Sequence, residues 1–149
     1  MIQYYASNYG FFGEEVKFSD KISRERAINM NPVVLAFIGD AVYSLFVREK
    51  TAFENDCKSG KLNRMTANIV KAKAQSDLID EVLPYFTEEE TDIFKRARNA
   101  KKPSHSKNAK ISEYNKSTGL EAVLGFLYVT GNDDRLNYIL NFHNYSEDN

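Results

Sequence analysis

The stretch VVLAFIGDAVYSLFVR, from Val33 to Arg48, decides the fold of this chain. It follows Asn31 and Pro32, which predict a helix start. An Asn side chain can accept hydrogen bonds from the free backbone N–H groups, and proline lacks only an N–H that is unpaired there anyway. Because the residues after Pro32 are apolar nearly all round, the pattern predicts a buried helix. An unpaired ionised carboxylate is costly in such a place, so we expect Asp40 to be paired, hydrogen-bonded, at the helix edge, or bound to a metal.

Composition limits the class of protein. The chain has 149 residues, of which 42% are hydrophobic and 28% are charged, as in a soluble domain with a core of its own. Its single cysteine, Cys57, excludes an internal disulfide and a cysteine-based zinc site, which fits a reducing cytoplasm. The N-terminus lacks the basic flank and the apolar run of a signal peptide. The run at 33–47 is short and carries Asp40 at its centre, so we expect no membrane span and a cytoplasmic protein.

The charges are unevenly distributed although the net charge is only −1. The windows 58–73 and 95–110 contain no acid and together hold twelve of the twenty Lys and Arg residues. Such segregation predicts a positive face for a partner rich in phosphates. The alternative is that these charges only solvate helix surfaces.

The remaining apolar residues recur at helical spacing and no segment alternates convincingly with period two, so the predicted class is all-α. We expect a short helix within 20–29, a loop over Thr51–Gly60, and two helices that carry the apolar residues within 62–70 and 78–83. Thr87 and Glu90 form a capping box that opens the next helix. A short lead-in over 112–116 precedes a separate helix over 120–128, and a last helix covers 136–142. Residues 1–20 form an N-terminal arm of uncertain structure, and residues 21–149 form one domain.

Two segments carry a resemblance to a known family. Residues 35–41, LAFIGDA, resemble the signature helix of the ribonuclease III catalytic domain, and residues 117–125, STGLEAVLG, resemble its second metal-binding helix. The basic segment 95–102, followed by Lys107 and Asn108, is similar to that of the short subfamily called mini-ribonuclease III. The resemblance runs from about residue 30 to the C-terminus and implies the helical fold of the ribonuclease III endonuclease domain. Because the chain ends 28 residues after Glu121, we expect no double-stranded-RNA-binding domain after it.

The resemblance implies that Asp40 and Glu121 are catalytic and hold a magnesium ion. Magnesium prefers oxygen ligands, keeps several waters, and can activate one of them to attack a phosphodiester. Each residue also has an ordinary alternative. Asp40 could be a buried carboxylate hydrogen-bonded to a neighbour, and Glu121 could belong to a capping box that starts at Thr118.

Three further positions carry acids in the longer ribonuclease III enzymes but not in this chain. They are Val33, Ala36 and Thr118, and mini-ribonuclease III shows the same losses. With fewer carboxylates we expect weaker metal affinity and a larger role for waters and for the phosphates of the RNA.

The resemblance also implies the partners. Two catalytic domains form a symmetric homodimer in which Phe37 inserts into the partner; the alternative is that Phe37 is a plain core residue. Double-stranded RNA is recognised mainly by shape, through its phosphates and 2′-hydroxyls. The candidate RNA-binding residues are Lys73, Arg96, Arg98, Asn99, Lys101, Lys102, Lys107 and Asn108.

The implied function is magnesium-dependent hydrolysis of phosphodiester bonds in double-stranded RNA, with maturation of the 23S ribosomal RNA precursor in a bacterial cytoplasm. Two other functions stay open. The missing acids leave room for a non-catalytic, ribosome-associated RNA-binding protein of the same fold. The basic face alone is also compatible with a helical adaptor that binds an acidic protein.

Overall fold

A computed structural model describes residues 16–18, 20–55, 58–69, 72–101 and 110–142. This part of the chain contains seven α-helices and no strand, so the all-α prediction is confirmed. It also contains one 3-10 turn, Leu83–Tyr85. Within the same ranges, no helix combines the length and the hydrophobicity needed to cross a membrane. The helices are α1 (Arg24–Ile28), α2 (Pro32–Glu54), α3 (Ser59–Ile69), α4 (Ala72–Val82), α5 (Glu88–Asn99), α6 (Ile111–Val129) and α7 (Asp133–Leu140).

The helix pair α2 and α6 forms the centre of the fold. Helix α6 is buried continuously from Ser117 to Leu127 except at Glu121, because α2, α4, α5 and α7 all pack against it. Where α2 crosses α6, a Cβ on Gly39 would overlap the backbone oxygen of Glu121, and a Cβ on Gly125 would overlap that of Leu35. The two backbones therefore touch, and glycine is required on both sides of the contact.

The predicted helix starts are confirmed. The side chain of Asn31 accepts a hydrogen bond from the Val33 N–H at 2.9 Å, with Pro32 as the first helical residue. The capping box of α5 is complete: Glu90 N–H donates to the Thr87 hydroxyl at 3.1 Å, and Thr87 N–H donates to the Glu90 carboxylate at 3.0 Å.

Two predicted helix boundaries are wrong. The loop predicted over Thr51–Gly60 is shorter, because α2 continues to Glu54 and α3 already begins at Ser59. Gly60 lies in the first turn of α3, where the Lys58 carbonyl accepts hydrogen bonds from the N–H groups of Lys61 and Leu62.

The predicted break between a lead-in and a second helix is also absent, since α6 runs without interruption from Ile111 to Val129. Thr118 lies inside this helix, and its hydroxyl donates to the Tyr114 carbonyl at 2.9 Å. A residue in the middle of a helix has no free N–H group to cap. The capping-box alternative for Glu121 is therefore wrong.

Helix α2 is buried on one face only, which corrects the prediction of a helix buried all round. Its buried face carries Leu35, Gly39, Tyr43 and Val47. On another face, Val34 is 46% exposed, Phe37 is 81% exposed and Leu45 is 49% exposed. The core alternative for Phe37 is therefore wrong within this protomer, because no described helix covers this apolar face.

Candidate active site

Asp40 and Glu121 line the same groove between α2 and α6. The groove has a volume of about 320 Å³. Asp40 directly follows Gly39, the residue against which the backbone of Glu121 packs, so the contact between the two helices brings both carboxylates to one place. The groove is lined by Val33, Ala36, Phe37 and Asp40 of α2 and by Tyr114, Ser117, Thr118 and Glu121 of α6.

The positions that lack acids lie in this groove as well. Val33 and Ala36 line it from α2, and Thr118 lines it from α6. The hydroxyls of Ser117 and Thr118 are uncharged, and both donate to the Tyr114 carbonyl, at 2.8 and 2.9 Å. No group of three or more His, Cys, Asp and Glu residues that could hold a metal occurs in the described ranges. Among the groove-lining residues, Asp40 and Glu121 are the two that carry a carboxyl group.

These two carboxylates differ in their surroundings. Asp40 is exposed, whereas Glu121 is half-buried. Burial, followed by the nearby negative charge of Asp40, raises the pKa of Glu121 to about 8, although a hydrogen bond with Gln75 acts in the opposite direction. Burial and the charge of Glu121 also raise the pKa of Tyr43. A bound cation would relieve the repulsion between the two carboxylates.

The donor set suits a hard divalent cation. Carboxylate oxygens are the ligands that magnesium prefers, and one or two of them are enough when water and phosphate oxygens complete the octahedron. The charge repulsion between Asp40 and Glu121 independently favours a cation at this place. The two carboxylates therefore suit a hard divalent cation.

The predicted RNA-binding residues are only partly described. Arg96 donates to the Ile28 carbonyl at 3.2 Å and lies 3.9 Å from Asp92, so it holds α1 against α5. Arg98 donates to the Asn99 side-chain oxygen at 3.2 Å. Lys101 is exposed just after α5. Lys102, Lys107 and Asn108 lie outside the described residues, as does the side chain of Lys73 in α4.

Comparison with known proteins identifies the family. A profile of the Ribonuclease III domain matches residues 33–132. A Mini-ribonuclease 3 from Clostridium tetani is 44% identical over 131 residues, which cover 87% of this chain and 83% of that protein. One from Staphylococcus aureus is 40% identical, covering 75% of this chain and 85% of its own. This chain belongs to the mini-ribonuclease III family. It is therefore an endoribonuclease, a hydrolase that acts on RNA.

A solved structure supports the same fold for this mini-ribonuclease III. A crystal structure of a Fusobacterium nucleatum protein superposes with a TM-score of 0.73 at 28% sequence identity. The match covers 85% of this chain and 99% of that one. The predicted ribonuclease III helical fold is thus confirmed.

Two residues that interact with Glu121 were not predicted from the sequence. Tyr43 lies three residues after Asp40, on the buried face of α2, and interacts electrostatically with Glu121. Gln75 is 3% exposed on α4 and forms a hydrogen bond with Glu121. Gln75 precedes Leu78 and Ile79 by one helical turn, so a polar residue on an apolar stripe was the available signal. The contact of Gln75 with Glu121 is visible only in the structure, because it depends on how α4 packs against α6.

Proposed function

We propose that this mini-ribonuclease III hydrolyses phosphodiester bonds in double-stranded RNA with a magnesium ion held by Asp40 and Glu121. The observation that carries the proposal is the meeting of these two carboxylates in one open groove between α2 and α6. The family implies the 23S ribosomal RNA precursor as the substrate, the cytoplasm as the compartment, and a homodimer as the active form.

The two carboxylates divide the work in this proposal. Asp40, on the exposed side of α2, would hold the cation where the RNA enters, and Glu121 would hold it from the more buried side of the groove. When bound, magnesium would lower the pKa of a water and stabilise the charge that develops on the phosphate. Ser117 and Thr118, whose hydroxyls are already engaged by the backbone, shape the floor and carry no charge.

Basic residues outside the groove hold the duplex in this proposal. Lys58, Lys61 and Arg64, around the start of α3, and Lys101, after α5, are exposed, so their side chains can reach phosphates. Arg96 is the least favoured of the candidates, because its guanidinium already binds the Ile28 carbonyl. Arg98 and Asn99 act as a hydrogen-bonded pair at the end of α5. Lys73, Lys102, Lys107 and Asn108 complete the proposed set.

The homodimer forms through the exposed apolar stripe of α2 in this proposal. Val34, Phe37, Ala41 and Leu45 are spaced three or four residues apart and therefore share one face of the helix. Phe37 also lines the groove that holds Asp40 and Glu121. An exposed apolar stripe beside the active site is the kind of surface that a second copy would cover.

The experiment that tests this function compares substrates and metals. The purified protein is incubated with a long RNA duplex, a single-stranded RNA of the same sequence, and a DNA duplex of the same length, each with magnesium or with a chelator. We expect cutting of the RNA duplex alone, and only with magnesium. Tight binding without cutting would instead support the non-catalytic RNA-binding function, and indifference to RNA would contradict both.

The proposed natural substrate needs its own comparison. A transcript whose paired ends are those of the 23S precursor is compared with an unrelated duplex of equal length. We expect defined cuts, one on each strand, in the precursor duplex and slower or scattered cuts in the other. Equal rates and patterns on both would contradict the assignment of the precursor.

A further inference from the structure

We propose that Gln75 is a positioning residue that holds the Glu121 carboxylate in the orientation needed to bind the cation. This inference rests on the proposed function, because it assumes that Glu121 is a metal ligand. Gln75 itself lies behind the groove and does not line it, so it acts through Glu121 and not on the RNA.

The contact between the two side chains is direct and buried. Gln75 forms a side-chain hydrogen bond with Glu121 and is 3% exposed. The hydrogen bond favours the ionised form of Glu121, which can only accept, so the amide of Gln75 is the donor. One carboxylate oxygen is then fixed toward α4, which leaves the other free to face the groove.

The helix that carries Gln75 is held firmly in place. Leu78, Ile79 and Val82 of α4 are at most 5% exposed and belong to the same core as the α6 residues Val123 and Leu124. Since the interior of a protein is close-packed, the amide cannot move away from Glu121 without disturbing this core. A rigid donor of this kind restricts the rotamers of the carboxylate.

The surroundings of Glu121 explain why such a donor is needed. Burial disfavours the ionised form of Glu121, and the charge of Asp40 repels it. Without this hydrogen bond the Glu121 carboxylate would be less restricted and could turn away from Asp40. Ligands to a metal in proteins are commonly oriented by hydrogen bonds from residues behind them, and removing such a partner typically weakens metal affinity or activity about 10-fold to 100-fold.

The test measures metal binding without RNA, and cleavage separately. Gln75→Met removes the amide and nearly keeps the side-chain volume. The affinity of the full-length protein for Mn²⁺ is obtained from the electron paramagnetic resonance signal of the free ion. We expect the affinity to fall about 10-fold or more. In cleavage assays at limiting magnesium we expect kcat to fall while KM for the RNA duplex stays unchanged.

Ser76→Ala is the matched control. Ser76 is the next residue on α4 and is 6% exposed, so its substitution also removes a buried polar group from the same helix. We expect Mn²⁺ affinity within about twofold of the parent protein even if the thermal midpoint falls. Gln75→Asn, which keeps an amide but is one methylene too short to reach, replaces the Met variant if that variant does not fold, and we expect the same loss of affinity.

Glu121→Gln separates the two ways in which the idea can fail. If Glu121→Gln loses Mn²⁺ binding while the Gln75 variants bind like the parent protein, the inference is wrong and the proposed function stands. If Glu121→Gln itself binds Mn²⁺ like the parent protein, the proposed function is wrong, and the inference with it.

Discussion

The backbone oxygen of Glu121 lies where the side chain of residue 39 would be, and the chain has glycine at that position. This relationship joins the fold to the candidate active site. Asp40 is the next residue along α2, so the same close approach that packs α2 against α6 also brings the two carboxylates together. A change that separates the helices must therefore disturb both stability and chemistry.

Substitution of the glycine tests this relationship. In Gly39→Ala the new methyl group would overlap backbone atoms of Glu121 and Gly125, which cannot move as a flexible side chain could. We expect the free energy of unfolding to fall by about 3 kcal/mol or more in urea denaturation, as for other severe steric changes in a core.

Gly60→Ala is the control for that experiment. The nearest atom to a Cβ there is the tip of the Arg64 side chain, at 3.8 Å, and Gly60 lies in a helix. Alanine is the better helix former, so we expect this variant to be more stable by about 0.5–1 kcal/mol. Equal stability changes in the two variants would contradict the proposed role of Gly39.

The pKa of Glu121 predicts how stability depends on pH without metal. Its pKa is raised from 4.5 to about 8 in the folded protein, so between these values the folded state holds a proton that the unfolded chain has lost. The contribution of Glu121 to the stability of the folded state is fully present below pH 4.5 and is lost as the pH rises through 8. With a chelator present, we expect the free energy of unfolding in urea to decline by on the order of a few kcal/mol between pH 4.5 and about 8.

Two variants identify the group responsible. Glu121→Gln should remove the part of the decline in unfolding free energy that comes from the titration of Glu121. Asp40→Asn should move it to lower pH, because the charge of Asp40 is one cause of the raised pKa of Glu121. If Glu121→Gln shows the same pH profile as the parent protein, then Glu121 does not titrate as described.

The exposed phenylalanines of α2 allow a matched test of the dimer. Phe37 and Phe53 are 81% and 82% exposed, but they lie about 160° apart around the helix at about 100° per residue. We expect sedimentation equilibrium to give twice the chain mass for the parent protein and for Phe53→Asp, and the mass of one chain for Phe37→Asp. A dimer that survives Phe37→Asp but not Phe53→Asp would place the interface on the other face.

The basic segment after α5 can be tested by salt dependence. If lysines 101 and 102 contact phosphates, replacing both with Gln should make the slope of log affinity against log salt concentration shallower by about one per lysine. Lys50→Gln, which removes one positive charge from an ion pair with Glu54 near the end of α2, is the control. An unchanged slope in the double variant would mean that these lysines do not contact RNA.

Local signals in the sequence predicted the helix starts but not all of the boundaries. The two helix caps were predicted correctly, at Asn31 with Pro32 and at Thr87 with Glu90, because each cap depends on hydrogen bonds within one turn. The same kind of signal failed at Thr118, where a residue pattern typical of a cap lies inside a helix that is stabilised by packing on all sides. Spacing alone does not distinguish the two cases.

The sequence predicted residues of the candidate site only through the resemblance to a known family. Asp40 and Glu121 are distant in sequence, and no periodicity places them together; the contact at Gly39 does. The sequence did not predict that Phe37 is exposed, since an apolar pattern does not show which face of a helix its neighbours cover. Gln75 was missed because its hydrogen bond depends on how α4 packs against α6.

The most direct test of the central claim is magnesium-dependent cutting of an RNA duplex by carboxylate variants. Asp40→Asn and Glu121→Gln are compared with Glu49→Gln, which neutralises an exposed carboxylate on α2 that does not line the groove. The account predicts that the first two variants fold and bind the duplex but cut it at least about 100-fold more slowly, whereas Glu49→Gln cuts at the parent rate. Undiminished cutting by either Asp40→Asn or Glu121→Gln would contradict it.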